Sequence, residues 1–357
     1  MSTGRLSTRD FLTSLSAATG VSGHESDVGE RIARAFAPLC DEVRRGRLGD
    51  VIGVRRGARP TGRRPRILLA AHMDEVGLMV TQVDEGGFLR VTHVGGVDPR
   101  TILAQEVLVH GRQTLPGIVG AKPPHLTPPD EAKKAPQLKD LYIDLALPEE
   151  EVRRLVQVGD VVTVRREPLE MLEGHLAGKA MDDRACVAVL YECLQELEHA
   201  RFQAEVLAVA TTAEEITSAG AETVTFEQAP DAAIAVDVTF AEQPGTEEDE
   251  TWDPSKGPVL TMGPNISPRV FEALREAARE LDMEVQIEAA PDHTGTDAWS
   301  MQVVAAGVPT ALVSVPIKYM HTSVETLSLE NVSRAARLLA RFITRVDEDF
   351  VKGLVWA

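Results

Sequence analysis

The amino-acid sequence predicts an α/β fold, a mostly parallel sheet sandwiched by helices and interrupted by a small β-rich insert. Three observations lead there. Short continuous apolar runs recur, such as Arg66-Ile67-Leu68-Leu69-Ala70-Ala71 and Ala232-Ala233-Ile234-Ala235-Val236, the pattern of strands covered on both faces. Segments of helical periodicity fall between such runs, and strands alternating with helices imply crossover connections. From about residue 77 to 170 this texture gives way to short alternating segments separated by turn residues.

In chain order, Val28, Ile32, Phe36 and Leu39 recur at helical spacing behind the capping candidate Ser26. The run from Arg66 to Ala71 is the first core strand. Within the insert, Leu78-Met79-Val80, Phe88-Leu89-Arg90-Val91, Glu106-Val107-Leu108-Val109 and Val161-Val162-Thr163-Val164 read as strands, with a Gly86-Gly87 turn between the first two. Lys122-Pro123-Pro124-His125-Leu126-Thr127-Pro128-Pro129 reads as a long exposed loop, because prolines fix φ and remove donors. Beyond about residue 173 the α/β pattern returns, with a helix from Arg184 to Leu197 and strands at Glu205–Ala210, Ala232–Val236 and Pro309–Val315. Further helices are expected around 268–281 and 328–347, and Glu247 to Glu250 read as a solvated loop. The expected organisation is therefore 1–76 as the first part of the α/β domain, 77–170 as the insert and 171–357 as the second part.

Composition bounds the function. A chain of 357 residues exceeds what one compact core usually holds. A net charge of −18 argues against nucleic acid as a partner, since phosphate binding needs a basic face. No stretch approaches the ~20 apolar residues of a membrane span, and Met1-Ser2-Thr3-Gly4-Arg5 carries no apolar signal core. Cys40, Cys186 and Cys193 lack metal-ligand spacing and read as thiols of a reducing cytosol, so a cytoplasmic protein is expected.

Five polar signatures stand at the ends of apolar runs: His72-Met73-Asp74, Met181-Asp182-Asp183-Arg184, Ala213-Glu214-Glu215, Ala235-Val236-Asp237 and Tyr319-Met320-His321. Imidazoles and carboxylates are the donors that zinc, cobalt or manganese accept. In open α/β sheets ligands gather beyond the carboxyl ends of the strands, so the five converge on one rim. Each has a plainer reading alone: a structural histidine for His72, N-capping for Asp182-Asp183, a surface pair for Glu214-Glu215. Capping does not explain two acids followed by Arg184, and Asp237 beside an apolar strand is costly unless paired or metal-bound. Together they point to a two-metal hydrolase.

The same residues carry a resemblance. Ala71-His72-Met73-Asp74-Glu75-Val76-Gly77, Lys179-Ala180-Met181-Asp182-Asp183-Arg184, Thr212-Ala213-Glu214-Glu215, Val236-Asp237 and Tyr319-Met320-His321-Thr322-Ser323-Val324-Glu325 resemble the motifs of the tetrahedral (TET) aminopeptidases, a family that includes the glutamyl aminopeptidases. The resemblance extends to Val21-Ser22-Gly23-His24-Glu25, Gly120-Ala121-Lys122-Pro123-Pro124-His125-Leu126 and Gly295-Thr296-Asp297-Ala298, and so covers nearly the whole chain. It implies two divalent metal ions per subunit (zinc or cobalt, with manganese also accepted), a zinc-peptidase-like α/β domain and a PDZ-like β insert. It further implies that Asp182 bridges the metals, that His72 and Asp237 complete one site, and that Glu215 and His321 complete the other. Glu214 is implied as general base and Asp74 as the group that orients His72. Short peptides with a free N-terminus are the implied substrates, and a dodecameric tetrahedron the implied homo-oligomer.

The sequence also departs from the family pattern. Ile216-Thr217-Ser218 stands where Val-Gly and a basic residue are usual, and Lys318 stands where Arg often precedes the Tyr. Trp299 is expected as a core aromatic. Two other readings stand beside the aminopeptidase: a metal-independent carbohydrate hydrolase using two carboxylates, and a non-catalytic assembly protein on the same fold.

Overall fold

The computed structural model describes residues 5–58, 63–128, 130, 133–247 and 250–354. Eight strands form the principal sheet, in the order Glu42–Arg45, Val51–Arg56, Glu205–Thr211, Arg66–His72, Ala232–Phe240, Thr310–Ile317, Val259–Met262, Gln286–Ala289. The four at the centre run parallel, whereas Val51–Arg56 and Val259–Met262 join them antiparallel. Arg66–His72 and Thr310–Ile317 are buried at nearly every position. Continuous burial along both side-chain parities requires cover on both faces, which is what their uninterrupted apolar sequences announce.

Helices supply that cover. Met181–Leu197 packs on the sheet and against Thr8–Ala17 and Leu329–Arg345, while Ala219–Gln228 packs on Asp297–Gln302, which lies against Ala232–Phe240. The periodic run beginning at Ser26 is a helix over Ser26–Phe36; Leu39 lies past its end yet is fully buried. The expected helices around 268–281 and 328–347 are Pro268–Glu280 and Leu329–Arg345. A small three-stranded sheet (Leu169–Glu170, His175–Gly178, Glu325–Ser328), which the sequence pattern does not reveal, ties the stretch before residue 181 to the one after His321.

The alternating segments after Asp74 close into a six-stranded barrel: Gly77–Val83, Leu89–Val94, Leu141–Asp144, Thr114–Ala121, Glu106–His110 and Val161–Val164. Its interior is a second apolar core containing Leu78, Val80, Leu89, Val107, Val109, Leu141, Ile143 and Val162. The proline-rich stretch expected as loop contains one short 3-10 turn, Pro124–Leu126, with Leu126 exposed; Pro129 lies outside the described residues. Of the acidic run 247–250, residues 248 and 249 lie outside them too, and Glu247 and Glu250 are exposed. Cys186 and Cys193 are buried thiols on one helix, and Cys40 is partly buried. Among the described residues no helix is long and apolar enough to cross a membrane.

Where the first strand leaves the sheet for the barrel, a buried ion cluster fixes the chain. Glu75 accepts from Lys179 Nζ at 2.6 Å, Arg184 Nη2 at 3.1 Å and the Gly20 amide at 3.0 Å. Arg184, with no exposed surface, also donates to the carbonyls of Met73, Leu15 and Ala18. Burial presses the Lys179 ammonium down to about 8, against the opposing pull of Glu75. This cluster accounts for the arginine that follows the two acids. Glu75→Gln is expected to leave a buried cation uncompensated and to lower the unfolding free energy by about 3–5 kcal/mol, read as a lower urea midpoint; an unchanged midpoint contradicts the assignment.

Candidate metal centre

The site is built on one row of the parallel sheet. His72 ends its strand and pairs in register with Thr211. Ala235 pairs with Ala70, so Asp237 lies level with His72 on the other side. Asp237 was expected to follow its strand; the strand instead runs on to Phe240, and Asp237 sits inside it, opposite Ser314. Glu214 and Glu215 follow the strand Glu205–Thr211, and His321 follows Thr310–Ile317. Asp182 and Asp183 have non-helical backbone angles at the mouth of the helix to Leu197, with a cis peptide between them, so regular helix begins near Arg184 as the sequence suggests.

The side chains converge. His72 Nε2 lies 3.0 Å from Asp182 Oδ1, and His321 Nε2 lies 3.2 Å from Asp182 Oδ2, so one carboxylate faces both imidazoles. Glu215 Oε2 is 3.5 Å from His321 Nε2, Glu214 Oε2 is 3.8 Å from His72 Nε2, and the Asp74 carboxylate faces His72 Nδ1 at 3.4 Å. Two overlapping groups of donors are close enough to share an ion: His72, Asp182 and Glu215, and His72, Asp183 and Asp237. The structure thus brings His72, Asp74, Asp182, Glu214, Glu215, Asp237 and His321 to one place. Asp183, whose role the sequence leaves open, stands with His72 and Asp237.

The electrostatics state what the cluster lacks. Burial presses the His72 imidazole down, but its hydrogen bond with Asp182 and the nearby carboxylates of Asp74 and Glu214 outweigh that, so its pKa is raised well above the usual value. The hydrogen bond with Asp182 lifts His321 to about 9. Burial raises Glu214 to about 9 and Glu215 to about 8, and raises Asp183 and Asp237 strongly. Of the five carboxylates Asp182, Asp183, Glu214, Glu215 and Asp237, Asp182 alone is lowered: its burial is outweighed by the bonds with His321 and His72. Five carboxylates thus share a largely buried site with two imidazoles, and one oxygen of Asp183 has no hydrogen-bond partner among the described residues. A cluster of oxygen and imidazole donors short of positive charge fits divalent cations.

A second set of acids accepts mainly from backbone amides and hydroxyls, although Asp50 Oδ2 and Asp297 Oδ1 have no hydrogen-bond partner among the described residues. Asp74 accepts from Ser22 Oγ at 2.6 Å and from the amides of Glu214 and Glu215 at 3.0 and 3.2 Å. Glu25 accepts from the Ala213 amide and Asp50 from the Thr212 amide. Three carboxylates therefore hold four successive amides, Thr212 to Glu215, in place. Glu325 accepts from the amides of Met181, Asp182 and His321 at 2.6, 3.2 and 2.7 Å, stapling two ligand-bearing loops together. Asp297 accepts from Thr211 Oγ1 at 2.6 Å. Glu25, Asp297 and Glu325 lie within quoted motifs, but no spacing rule assigns them a role; Asp50 carries no sequence signal.

The barrel reaches the site through Gly95 and Gly96. A Cβ on Gly96 would stand 2.7 Å from His321 Nδ1, and Gly95 adopts φ +75° beside Glu215. A cleft of about 1050 Å³ opens on the cluster, bounded by Phe240, Leu312, Met320 and the turn Thr294–Thr296. Trp299, expected in the core, is 46% exposed and contacts the His293 ring. Ile216, at the first departure from the family pattern, is also exposed.

Comparison with known proteins follows the same lines. Residues 49–338 match the model of the M42 glutamyl aminopeptidase family. The chain is 36% identical to lysyl aminopeptidase of Pyrococcus furiosus over 327 residues, covering 89% of this chain and 92% of that protein. Its fold is similar to that of a TET aminopeptidase from a marine-sediment archaeon of the Thaumarchaeota, with TM-score 0.91, 31% identity and coverage of 98% and 99% of the two chains. It is similar also to the TET1 peptidase of Pyrococcus horikoshii, described as assembling into a tetrahedron or an octahedral shell, with TM-score 0.80, 27% identity and coverage of 95% and 100%. The chain belongs to the M42 glutamyl aminopeptidase family and is a metallo-aminopeptidase.

Proposed function

We propose that this chain holds two divalent cations, zinc, cobalt or manganese, and releases the first residue of short peptides that carry a free amino terminus. The observation that carries this reading is Asp182, whose two oxygens face His72 and His321 at 3.0 and 3.2 Å, the arrangement a bridging carboxylate needs. His72 and Asp237 complete one site, Glu215 and His321 the other. The cations, when bound, supply Lewis acidity, polarising the scissile carbonyl and lowering the pKa of water.

The chain's own residues do the rest. Glu214, held by Asp74 through its amide and facing the cleft, takes the proton of the attacking water on its carboxylate and returns it to the departing amine. Asp74 orients the His72 ring through Nδ1, the partnership that fixes tautomer and direction in a ligating histidine. Glu325 positions rather than reacts, since all its contacts are with backbone amides. The chain is read as a peptidase unit of residues 1–76 and 171–357, interrupted by a PDZ-like insert over 77–170. A cytoplasmic homo-oligomer, tetrahedral like the TET1 relative, is part of the same reading.

Glu214→Gln is expected to retain its metal by elemental analysis and to lose activity on an aminoacyl chromogenic substrate by on the order of 10²–10⁴-fold; near wild-type turnover contradicts its role as base. Asp182→Asn is expected to lose at least one of two ions, and retention of both removes the bridging assignment. Glu325→Gln sets an amide N–H₂ against a backbone N–H. It is expected to weaken zinc binding by roughly 10–100-fold in calorimetric titration, as loss of a ligand's supporting partner does; wild-type affinity would show the staple to be dispensable.

A further inference from the structure

The cleft has two ends of different character. One holds the metal-centre residues. The other, across the sheet, holds a single further charged side chain, Glu288, among neighbours that include Phe240, Leu312 and Met320. No lysine or arginine among the described residues lines the cleft.

The register places Glu288 on the same side of the sheet as the ligands. Asp237 pairs with Ser314, and Ser314 with Val259. Continued by two residues, that antiparallel register sets Thr261 opposite Leu312, and Thr261 pairs with Glu288. Residues directly opposite one another share a face, and alternate residues of one strand do too. Asp237, Ser314, Leu312, Thr261 and Glu288 therefore all point to one side. Three strand spacings separate the Asp237 strand from the Glu288 strand, about 14 Å. Thr261 Oγ1 donates to Glu288 Oε2 at 2.8 Å, which fixes the carboxylate, while Oε1 accepts nothing from the described residues. A half-buried carboxylate held still at the lining of the cleft, with no lysine or arginine paired to it among the described residues, is incompletely paired.

We propose that Glu288 is the specificity determinant of this aminopeptidase and that it selects peptides whose first residue carries a long cationic side chain, lysine or arginine. This rests on the peptide-trimming reading given above. With the α-amino group at the metal end, a side chain directed along the cleft passes Leu312 and Met320, whose apolar surface accommodates a methylene stem. It then ends at Glu288, where a charge-assisted hydrogen bond forms. The distance favours long side chains over short ones, and the negative charge of the whole protein favours approach of a cation.

The test uses the metal-loaded full-length enzyme in its native assembly, with Lys-, Arg-, Leu- and Glu-p-nitroanilides. Lys and Arg substrates are expected to exceed Leu in kcat/KM by tenfold or more. In Glu288→Gln the Lys-to-Leu ratio of kcat/KM is expected to fall by on the order of 10–100-fold, the range of a lost charged hydrogen bond. In Glu288→Lys it is expected to fall further while the Glu-to-Leu ratio rises. A merely structural role moves all substrates together and leaves both ratios unchanged, which overturns the proposal, as does a wild-type preference for Leu or Glu. Turnover of Leu without cationic preference overturns this assignment and leaves the aminopeptidase reading intact; no turnover of any substrate overturns both.

Discussion

The structure turns on a deficit of positive charge at one rim of a parallel sheet. Five carboxylates, of Asp182, Asp183, Glu214, Glu215 and Asp237, crowd two imidazoles in a largely buried site at the foot of the cleft. Carboxylates repel one another and lose hydration on burial, so such a cluster persists only where the surrounding fold over-determines it. The acids around it show how. Asp74, Glu325, Glu25 and Asp50 accept from backbone amides and from the hydroxyls of Ser22 and Thr212. Their charge is spent locally on fixing the loops. The inner five are aimed mostly at each other and at the histidines.

The apolar core makes this rigidity available. His72, Thr211 and Asp237 stand in one row because the strands below them are locked in parallel register by continuous burial on both faces. Glu75, Lys179 and Arg184 then fix the departure of the chain into the barrel, and the barrel returns Gly95 and Gly96 against Glu215 and His321. The insert has its own core, yet it forms part of the wall of the site. The barrel thus packs directly beside Glu215 and His321.

The same physics explains what the sequence reveals. Core strands were legible because burial on both faces forces unbroken apolar runs, as at Arg66–His72 and Ala232–Phe240. The inner acids were legible because charge at the end of such a run is anomalous. The end of the Asp237 strand was misplaced because Val238 and Thr239 continue a strand pattern that the acid only appears to interrupt. Asp50 was invisible for the opposite reason: its partner, Thr212, is 162 positions away, and nothing local distinguishes it from a surface acid. Trp299 was misassigned because aromatic character predicts burial only on average, whereas a helix of six residues at the lip of a cleft leaves one face in water.

Placing recognition at Glu288 also follows from where the fold tolerates change. His72 and Asp237 stand on the central parallel strands, enclosed by strands and helices, where replacement disturbs packing on both faces. The strand Gln286–Ala289 lies at the sheet's edge and alternates half-buried with exposed positions. A charge can be placed, removed or reversed there with little effect on the core, because an edge strand is bordered by solvent and by only one neighbour. Chemistry common to all substrates belongs in the enclosed centre, where precision is enforced by packing. Discrimination among side chains belongs at the edge, where one residue alters what the cleft attracts without moving the residues that carry out hydrolysis.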